Sequence, residues 1–586
     1  MIISEAAVYV NPEVLYYLQK TTAYSLKKRP LYFSKNSHLL CKIRTAPAEQ
    51  LHDTILAGRK ESRMKKKWIS SAAFLYVSAA LVMTGCAGGA DTATKSVTAA
   101  SETAPGPSET ISPPGSTAAE TGAVSETPPA PPAAPEHGKP GGPPPGDHAS
   151  KPDHYDALVT AAQDTAIIHQ TIRSEGADEN AVLIENGASV RLFADDITRV
   201  SGDSSGGDSA SFYGVGSAVL CTDGSAYVDT CDITTDADGG AGVFAYDKGT
   251  AYVSGAKIVT EQGASGGLHA AGGGTLYAWD CDVETGGESS AAIRSDRGGG
   301  TMVIEDGNYI TRGQGSPAVY STADITAAYA TLEAKGSEAV CIEGDNQLRL
   351  FNCNLTGNMA DLPQNGLTWN VILYQSMSGD SKEGNSLFEM NGGILEAGNG
   401  GMFYTTNTQS TFVLKGVELR PAKDQEFLLR AAGNSNGRGW GTKGQNGADC
   451  SFTAIQQELS GDVQWDSVST LKFYLTDKST LNGAFVQDEK DAGEGGEGLA
   501  ELFIDSSSVW YVNGDCTVTK LHCAGTIEDT SGKSVTVRKS DGTVLAEGTS
   551  AYSITVEEYD KAPDLSGAGV VSNYEEFRKE KPAELH

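Results

Sequence analysis

The stretch that decides the fold begins at residue 216 and repeats itself about every 25 residues. Successive copies read GSAVLCTDGSAYVDTCDITT (216–235), GAGVFAYDKGTAYVSGAKIVT (240–260), SGGLHAAGGGTLYAWDCDVET (265–285), SAAIRSDRGGGTMVIEDGNYIT (290–311), SPAVYSTADITAAYATLEA (316–334) and SEAVCIEGDNQLRLFNCNLTG (337–357). Each copy holds two short runs in which apolar and polar residues alternate, with turns containing glycine or aspartate. Such alternation predicts β-strands, and a fixed period of this length predicts a solenoid.

Residues at equivalent places in the copies form columns, as expected when each coil stacks about 4.8 Å above the last. One column is aliphatic at nearly every step, which predicts that it fills the core: Val182, Val219, Val243, Leu268, Ile293, Val319, Val340, Ile372, Met402, Leu428. A second column holds small residues, as a narrow interior corner would require: Cys231, Ala256, Cys281, Gly307, Ala330, Cys353. We therefore predict an all-β parallel β-helix of about 10–13 coils.

The repeats resemble the right-handed parallel β-helix proteins of the pectin-lyase-like superfamily. Within it they are most similar to repeat-containing surface proteins of Firmicutes type, through stretches such as SAAIRSDRGGGT and SPAVYSTADI. The resemblance spans roughly residues 175–530. It implies a right-handed coil, in line with the usual hand of parallel crossovers, but most members of this subgroup have no assigned activity.

A candidate secretion signal precedes the repeats. MKKKWISSAAFLYVSAALVMTGC (64–86) has three lysines, an apolar run and a final Gly-Cys, which is the composition of a secretory signal. Its end resembles the lipobox of bacterial lipoproteins, although Met83 stands where that pattern prefers leucine. The resemblance implies that Cys86 is lipidated and anchors the protein to a membrane.

The remaining chain divides by composition. We expect residues 1–63 to be an upstream segment from a misassigned start or disordered, residues 64–86 to be the signal, and residues 87–155 to be a disordered linker rich in Pro, Ala, Ser and Thr. The β-helix is predicted over residues 156–559, where 156–173 forms a short helix or a first irregular strand that caps the array. Residues 560–586 are expected to be a disordered acidic tail.

Charge and motifs narrow the possible functions. The formal net charge of −31 argues against nucleic-acid binding. No carboxylate series of the polygalacturonase kind is found, and Asp195-Asp196 is an isolated pair. A polar column is expected to be a solvated face rather than a Ca²⁺ site because Lys257 interrupts its acids: Asp196, Asp232, Lys257, Asp282, Asn308, Asn354. We expect no metal and no cofactor, although Ca²⁺ remains open.

Ten cysteines occur without zinc-site spacing. We interpret them mainly as buried free thiols. Cys516 and Cys523 are the pair most suited to a disulfide if one forms.

One outward column offers a candidate ligand surface. Leu220, Phe244, His269, Arg294 and Tyr320 each follow a core residue, so their side chains should point away from the core. Aromatic rings beside Arg and His can stack on and hydrogen-bond a sugar chain. The predicted surface consists of these residues: Phe244, His269, Arg294, Asp296, Arg297, Tyr320.

Three functions fit this sequence. The first is a lipid-anchored, non-catalytic adhesin or glycan-binding protein on the outer face of a Gram-positive cell membrane, with a polysaccharide or other host or cell-wall glycan as partner. The second is a polysaccharide lyase or glycoside hydrolase acting on an acidic polysaccharide, in a groove walled by the insertions 358–386 and 434–449. The third is a structural spacer.

Overall fold

The computed structural model describes residues 149–585. About half of the described residues form strands and only 3% are helical, and the strands stack in parallel into a β-helix. The predicted fold class is therefore confirmed. Handedness and membership of the pectin-lyase-like superfamily stay predictions.

The first sheet of the β-helix holds thirteen strands joined by twelve consecutive parallel pairings. With one strand per coil, these thirteen strands match the upper end of the predicted 10–13 coils. Its strands are Ala157–Ala161, Asn180–Ile184, Val219–Asp229, Val243–Ser254, Leu268–Ala271, Ile293–Ser295, Val319–Ser321, Val340–Glu343, Trp369–Tyr374, Gly401–Thr406, Leu429–Ala431, Val463–Trp465 and Phe485–Gln487.

The second sheet follows the first in each coil. Val219–Asp229 and Val243–Ser254 are long enough to run through both sheets. Its other strands are Thr165–Ile168, Ala188–Phe193, Gly274–Thr285, Gly300–Thr311, Asp324–Ala328, Gln347–Phe351, Asn385–Asn391, Gln409–Lys415, Asp449–Ile455, Thr470–Thr476, Leu499–Ile504, Lys520–Cys523 and Glu558–Asp560.

The third sheet completes the coil, and the long strands Gly274–Thr285 and Gly300–Thr311 extend into it. Its other strands are Thr171–Ser174, Asp196–Ser201, Asp232–Ala237, Lys257–Thr260, Thr331–Ala334, Asn354–Gly357, Ile394–Ala397 and Glu418–Arg420. A parallel ladder of four further strands follows it along the chain: Glu458–Ser460, Thr480–Asn482, Val509–Val512 and Thr526–Asp529.

A small fourth sheet comes near the C-terminal end and contains Cys516–Thr517, Thr536–Arg538, Val544–Ala546 and Ser553–Thr555. The described helices are one α-helix, Gly207–Tyr213, and two 3-10 turns, Tyr574–Glu576 and Ala583–Leu585. The first coil begins at Ala157, so the strand alternative for residues 156–173 is the correct one.

The aliphatic core column is confirmed from Val182 to Val340, and its residues are almost completely buried. Beyond that point the predicted register is wrong by one residue. Val340 pairs with Val371 rather than Ile372, and the column continues through Phe403 and Leu429. A one-residue slip moves a side chain to the other face of a strand, so Ile372 points outward while Val371 fills the core.

Each tight corner before the third sheet uses one residue with positive φ. The position that precedes the small-residue column has φ between 50° and 61° in six successive coils: Thr230, Gly255, Asp280, Asp306, Tyr329, Asn352. This left-handed conformation turns the chain within one residue and costs a non-glycine residue some strain. The small residues that follow are buried, apart from the half-buried Gly307, as predicted for a narrow corner.

The core changes from small to aromatic side chains along the axis. The inward column of the second sheet begins with Val190, Ala226 and Ala251. Further along it becomes a ladder of phenylalanines that pack ring to ring: Phe388, Phe412, Phe452, Phe473. Aromatic pairs at 4.7–6.3 Å between ring centroids add to the stabilisation from apolar burial.

The C-terminal tail is ordered, which contradicts the expectation for residues 560–586 throughout its described part. Residues 561–585, which we call the strap, run back along the outer face of the second sheet. The backbone N–H of Gly569 donates to Thr453 Oγ1 at 2.8 Å. Ser572 donates its backbone N–H and its hydroxyl to the two carboxylate oxygens of Glu389, at 2.6 and 2.8 Å.

Further along the strap, aromatic and cationic side chains contact coils nearer the N-terminus. Tyr574 packs on Phe351 with 5.4 Å between ring centroids, and Lys579 Nζ lies 5.3 Å from the ring centroid of Tyr277. The strap was missed because its contacts are single residues matched to separate coils and show no periodic apolar pattern. In a solenoid each coil touches only its neighbours, so the strap adds contacts between distant coils.

Candidate functional site

The predicted ligand surface lies in register but is covered. Leu220, Phe244, His269, Arg294 and Tyr320 pair in sequence across adjacent strands of the first sheet, as predicted. Their side chains point away from the core, yet His269 is 1% exposed, Tyr320 3% and Arg294 6%. The prediction that these side chains point away from the core is correct. The prediction that they form an exposed surface is wrong.

The helix Gly207–Tyr213 covers the N-terminal half of this column. It is formed by the insertion between residues 201 and 216 and ends at Gly214, whose φ of 79° allows its N–H to bond Ala210. A side chain at Gly214 would meet Leu220 at 2.5 Å and Phe244 at 3.0 Å, so the helix end reaches the sheet because residue 214 is glycine.

Under this helix, His269, Arg294 and Asp296 form a buried charged network. Asp296 Oδ2 lies 2.9 Å from His269 Nε2 and accepts a hydrogen bond from Arg294 Nε at 2.6 Å. Arg294 also donates to the hydroxyl of Ser211 in the helix, at 3.0 Å. Burial lowers the pKa of His269 to about 4 against the opposing effect of Asp296. Burial favours a neutral Asp296, but Arg294 and His269 outweigh it and lower the pKa of that carboxyl.

This arrangement is structural in character. His269 is neutral at physiological pH, and with Asp296 ionised the Nε2–H donates to the carboxylate. Arg297, from the same predicted surface, lies 4.4 Å over the ring of Phe212 and donates to Asp380 at 2.6 Å. The polar residues therefore fasten the helix and a later loop to the sheet instead of facing solvent.

Aromatic side chains from later strands of the first sheet, together with Trp440 from an insertion, cover the C-terminal half of the column. Trp369 and Tyr404 pack at 5.3 Å between ring centroids, and Trp440 from the 434–449 insertion packs at 4.4 Å on Tyr374. This apolar cluster buries the following residues: Ala291, Tyr320, Cys341, Met359, Trp369, Ile372, Tyr374, Tyr404, Phe427, Trp440. The insertions thus build a second layer on the first sheet.

Glu343 is a fully buried carboxyl beneath this layer. It accepts hydrogen bonds from the hydroxyls of Tyr320 at 2.9 Å and Tyr374 at 3.0 Å, and a further bond from Ser376. Burial raises the pKa of Glu343 to about 7, although the three hydroxyl donors oppose the rise. Ser381 donates to the Glu343 backbone carbonyl at 2.7 Å, so this residue holds the loop from 375 to 381 at two points.

That loop forms one wall of a cleft of about 500 Å³, and residues 441–445 form the opposite wall. The cleft is lined by Gln375, Met377, Glu383, Gly384, Asn407, Thr408, Gln409, Gly441, Thr442 and Gln445. The volume lies within the range of about 300–1,000 Å³ that is typical of small-molecule sites. Its walls belong to the two insertions that the sequence singled out, 358–386 and 434–449, so the structure brings those insertions together.

The cleft lining is dominated by amides and hydroxyls, which both donate and accept hydrogen bonds. Asn407 Nδ2 donates to the Gln375 carbonyl at 2.8 Å and thereby links the floor to the loop. Met377 is 54% exposed and adds an apolar contact surface. None of these residues was predicted individually, because amides outside a repeat column carry no periodic signal; only the positions of the insertions pointed to this region.

A second cleft of about 510 Å³ lies near the C-terminal end, between residues 465–499 and 517–557. Glu497 and Glu557 are among its lining residues. Part of it lies beside the small fourth sheet. We take the cleft between the insertions as the candidate site because its 375–381 loop is bonded to Arg297 of the predicted surface and to Glu343 beneath the aromatic layer.

The acidic positions do not gather into a metal site in the described part of the chain, where no group of three His, Cys, Asp or Glu side chains is placed to hold an ion. Asp195 accepts backbone N–H bonds from Gln170 and Phe193, at 2.7 and 3.0 Å, so half of the Asp-Asp pair is structural. Along the polar column, Asn308 donates to Asp282 at 2.8 Å, and Lys257 pairs in register with Asp232 and Asp282.

The eight cysteines within residues 149–585 are free and buried, including Cys516 and Cys523.

The lipobox and Cys86 lie outside the described residues. Over the described range, no helix combines the length and apolar character needed to span a bilayer.

Comparisons with known proteins return nothing: no protein-family model, curated protein or solved structure matches this chain.

Proposed function

We propose that this protein is a lipid-anchored surface protein that binds glycans without turning them over, and that its binding site is the cleft between the insertions. The observation that carries the proposal is the lining of that cleft by side-chain amides and hydroxyls. These groups match sugar hydroxyls, which also donate and accept. The lipobox resemblance at 64–86 and the Pro-rich stretch 128–146 support display at the outer face of a Gram-positive cell membrane, with the stalk holding the β-helix away from the bilayer.

Glycan binding is tested with the full chain on an array of oligosaccharides, with Gln409→Ala and Gln445→Ala alone and together. Both glutamines are exposed in the cleft, so their loss should weaken binding without unfolding the protein. Gln314→Ala is the matched control, because Gln314 is an exposed glutamine outside the cleft. Binding that survives the double variant would remove the cleft from the proposal.

Membrane anchoring is tested separately by expression in a Gram-positive bacterium fed with radiolabelled palmitate. Label should enter the wild-type chain and be absent from the Cys86→Ser variant. Equal labelling of both would remove the lipid anchor from the proposal and leave glycan binding untouched.

A second candidate, a glycoside hydrolase or polysaccharide lyase, is favoured by one observation. The pKa of Glu343 at about 7 suits a general acid. The 375–381 loop, to which Glu343 is bonded, lines the cleft. The carboxyl is completely buried, so catalysis would require that loop to open. Incubation of the full chain with neutral and acidic polysaccharides, with and without Ca²⁺, tests it; new reducing ends or unsaturated products that depend on Glu343 would favour the enzyme.

A further inference from the structure

We infer that the cleft selects uncharged oligosaccharides over acidic ones, an inference that rests on the proposed glycan-binding function. It narrows the ligand class from polysaccharides in general to neutral sugars. The argument depends on the charge, shape and rigidity of the cleft.

The charge of the cleft is unsuited to an acidic sugar. In the described structure, Glu383 is the single ionisable residue among those lining the cleft. The nearest lysines in sequence do not line the cleft: Lys382 lies 3.2 Å from Asp345 and Lys443 lies 3.6 Å from Asp491. A uronic acid would thus enter beside a carboxylate, on a chain of net charge −31, without a cation from the lining. Removing an unpaired carboxylate from water is costly.

The polar lining is suited to hydroxyl groups. Gln409, Gln445 and Thr442 are exposed, whereas Asn407 and Thr408 are half-buried at the floor. Each amide supplies an acceptor and two donor hydrogens, and each hydroxyl supplies both functions. A sugar that bridges the two walls could therefore satisfy several of its hydroxyls at once, with no ionic contact.

Met377 gives the cleft an apolar side. Its side chain is half-exposed at the rim, and Asn407 Nδ2 lies 3.8 Å from its sulfur. A polarizable thioether adapts to irregular apolar surfaces, and the C–H face of a pyranose ring is such a surface. One wall thus offers dispersion contact while the floor and the opposite wall offer hydrogen bonds.

The first wall is rigid before any ligand binds. Gln375 Nε2 donates to the carbonyls of Ser376 and Ser381, at 2.9 and 3.4 Å, and so closes the loop on itself. Glu343 holds the same loop from below. Because the loop is already ordered, a ligand loses less affinity to ordering of the protein.

The test measures binding of the full chain to neutral hexose oligomers (cello-, malto-, manno- and galacto-oligosaccharides) and to oligogalacturonate and oligomannuronate of equal length. We expect neutral oligomers alone to bind, with affinity reduced about tenfold in the Gln409→Ala and Gln445→Ala double variant, as the loss of two hydrogen bonds predicts. Met377→Ala should also weaken binding, and Gln314→Ala should not.

Glu383→Lys provides a second test of charge selection. The Glu383 side chain is exposed, and the charge reversal should allow acidic oligomers to bind in the cleft while neutral oligomers still bind. If wild-type protein binds acidic oligomers and the double variant loses them, the proposed function stands and the selection of neutral sugars is overturned. If no oligomer of either kind binds, both are overturned.

Discussion

Replacing Glu343 by glutamine should make the stability of the β-helix less dependent on pH. The native carboxyl is buried under Tyr320, Tyr374 and Ser376, which all donate to it. Glutamine has nearly the same shape and stays neutral. Its carbonyl oxygen accepts from the two tyrosines, and its NH₂ group donates to the serine hydroxyl, so the three hydrogen bonds are kept.

The magnitude follows from proton linkage. Burial raises the pKa of Glu343 from 4.5 to about 7. Between these values the native state keeps a proton that the unfolded chain has lost, so the free energy of unfolding falls as pH rises. The stabilisation is complete below pH 4.5 and is lost as pH rises through 7, a total of about 3 kcal/mol. From pH 5.5 to pH 8.5 the loss is about 2 kcal/mol.

The assay is urea unfolding followed by far-ultraviolet circular dichroism at pH 5.5, 7 and 8.5, above the isoelectric point near 4.6. Relative to wild type, the Glu343→Gln variant should gain about 2 kcal/mol of unfolding free energy between the first and last pH. Glu383→Gln is the control, because it removes an exposed carboxylate near the same loop.

Parallel pH dependences for Glu343→Gln and wild type would refute the reasoning, since they would mean that Glu343 loses its proton at the same pH in both states. A gain of equal size in Glu383→Gln would also refute it, because the effect would then arise from net charge and not from burial.

Three further predictions concern the strap, the buried network and the cysteines. Ending the chain at residue 560 should lower the unfolding midpoint and speed hydrogen exchange in the second sheet, and Tyr574→Ala alone should cost about 3 kcal/mol in urea unfolding, because Tyr574 is a buried ring on Phe351. Arg294→Ala should cost about 3–5 kcal/mol in the same assay, because it removes a buried partner of the Asp296 carboxylate. The cysteines of residues 149–585 should resist thiol reagents at pH 8 in the native protein, since burial raises the pKa of Cys281 and Cys516 to about 12; peptide mass spectrometry measures the labelling.

Each of these has a contrary outcome. Unchanged hydrogen exchange after truncation would mean that the strap does not hold the coils in solution. An Arg294→Ala variant with wild-type stability and weaker glycan binding would restore the predicted ligand surface. Rapid labelling of native Cys281, or a disulfide-linked peptide containing Cys516 and Cys523, would contradict the burial of free thiols.

Columns could be predicted because stacking in parallel register places the same repeat position on the same side of every coil. From Val182 to Val340 the repeats alone were sufficient to place the core. The predicted register is wrong at Ile372 for two reasons. An insertion before it interrupts the repeat spacing, and the strand Trp369–Tyr374 is buried at every position. Alternation cannot distinguish the two faces of such a strand.

Burial of the outer column could not be predicted, because the contacts that cover it join residues far apart in the sequence. Arg294 meets Ser211 across 83 positions, and Ser572 meets Glu389 across 183. A repeat pattern reports which side of a strand a residue occupies and not what packs upon that side.

The sequence by itself determined the parallel β-helix, its approximate number of coils and the small residues at its inner corner, since these follow from local alternation and a constant period. Only the tertiary structure decided that the candidate ligand surface is an inner layer, that the tail is a strap, and which side chains line the cleft between the two insertions. Those features depend on non-periodic contacts, whose partners are selected by the folded shape of the coil.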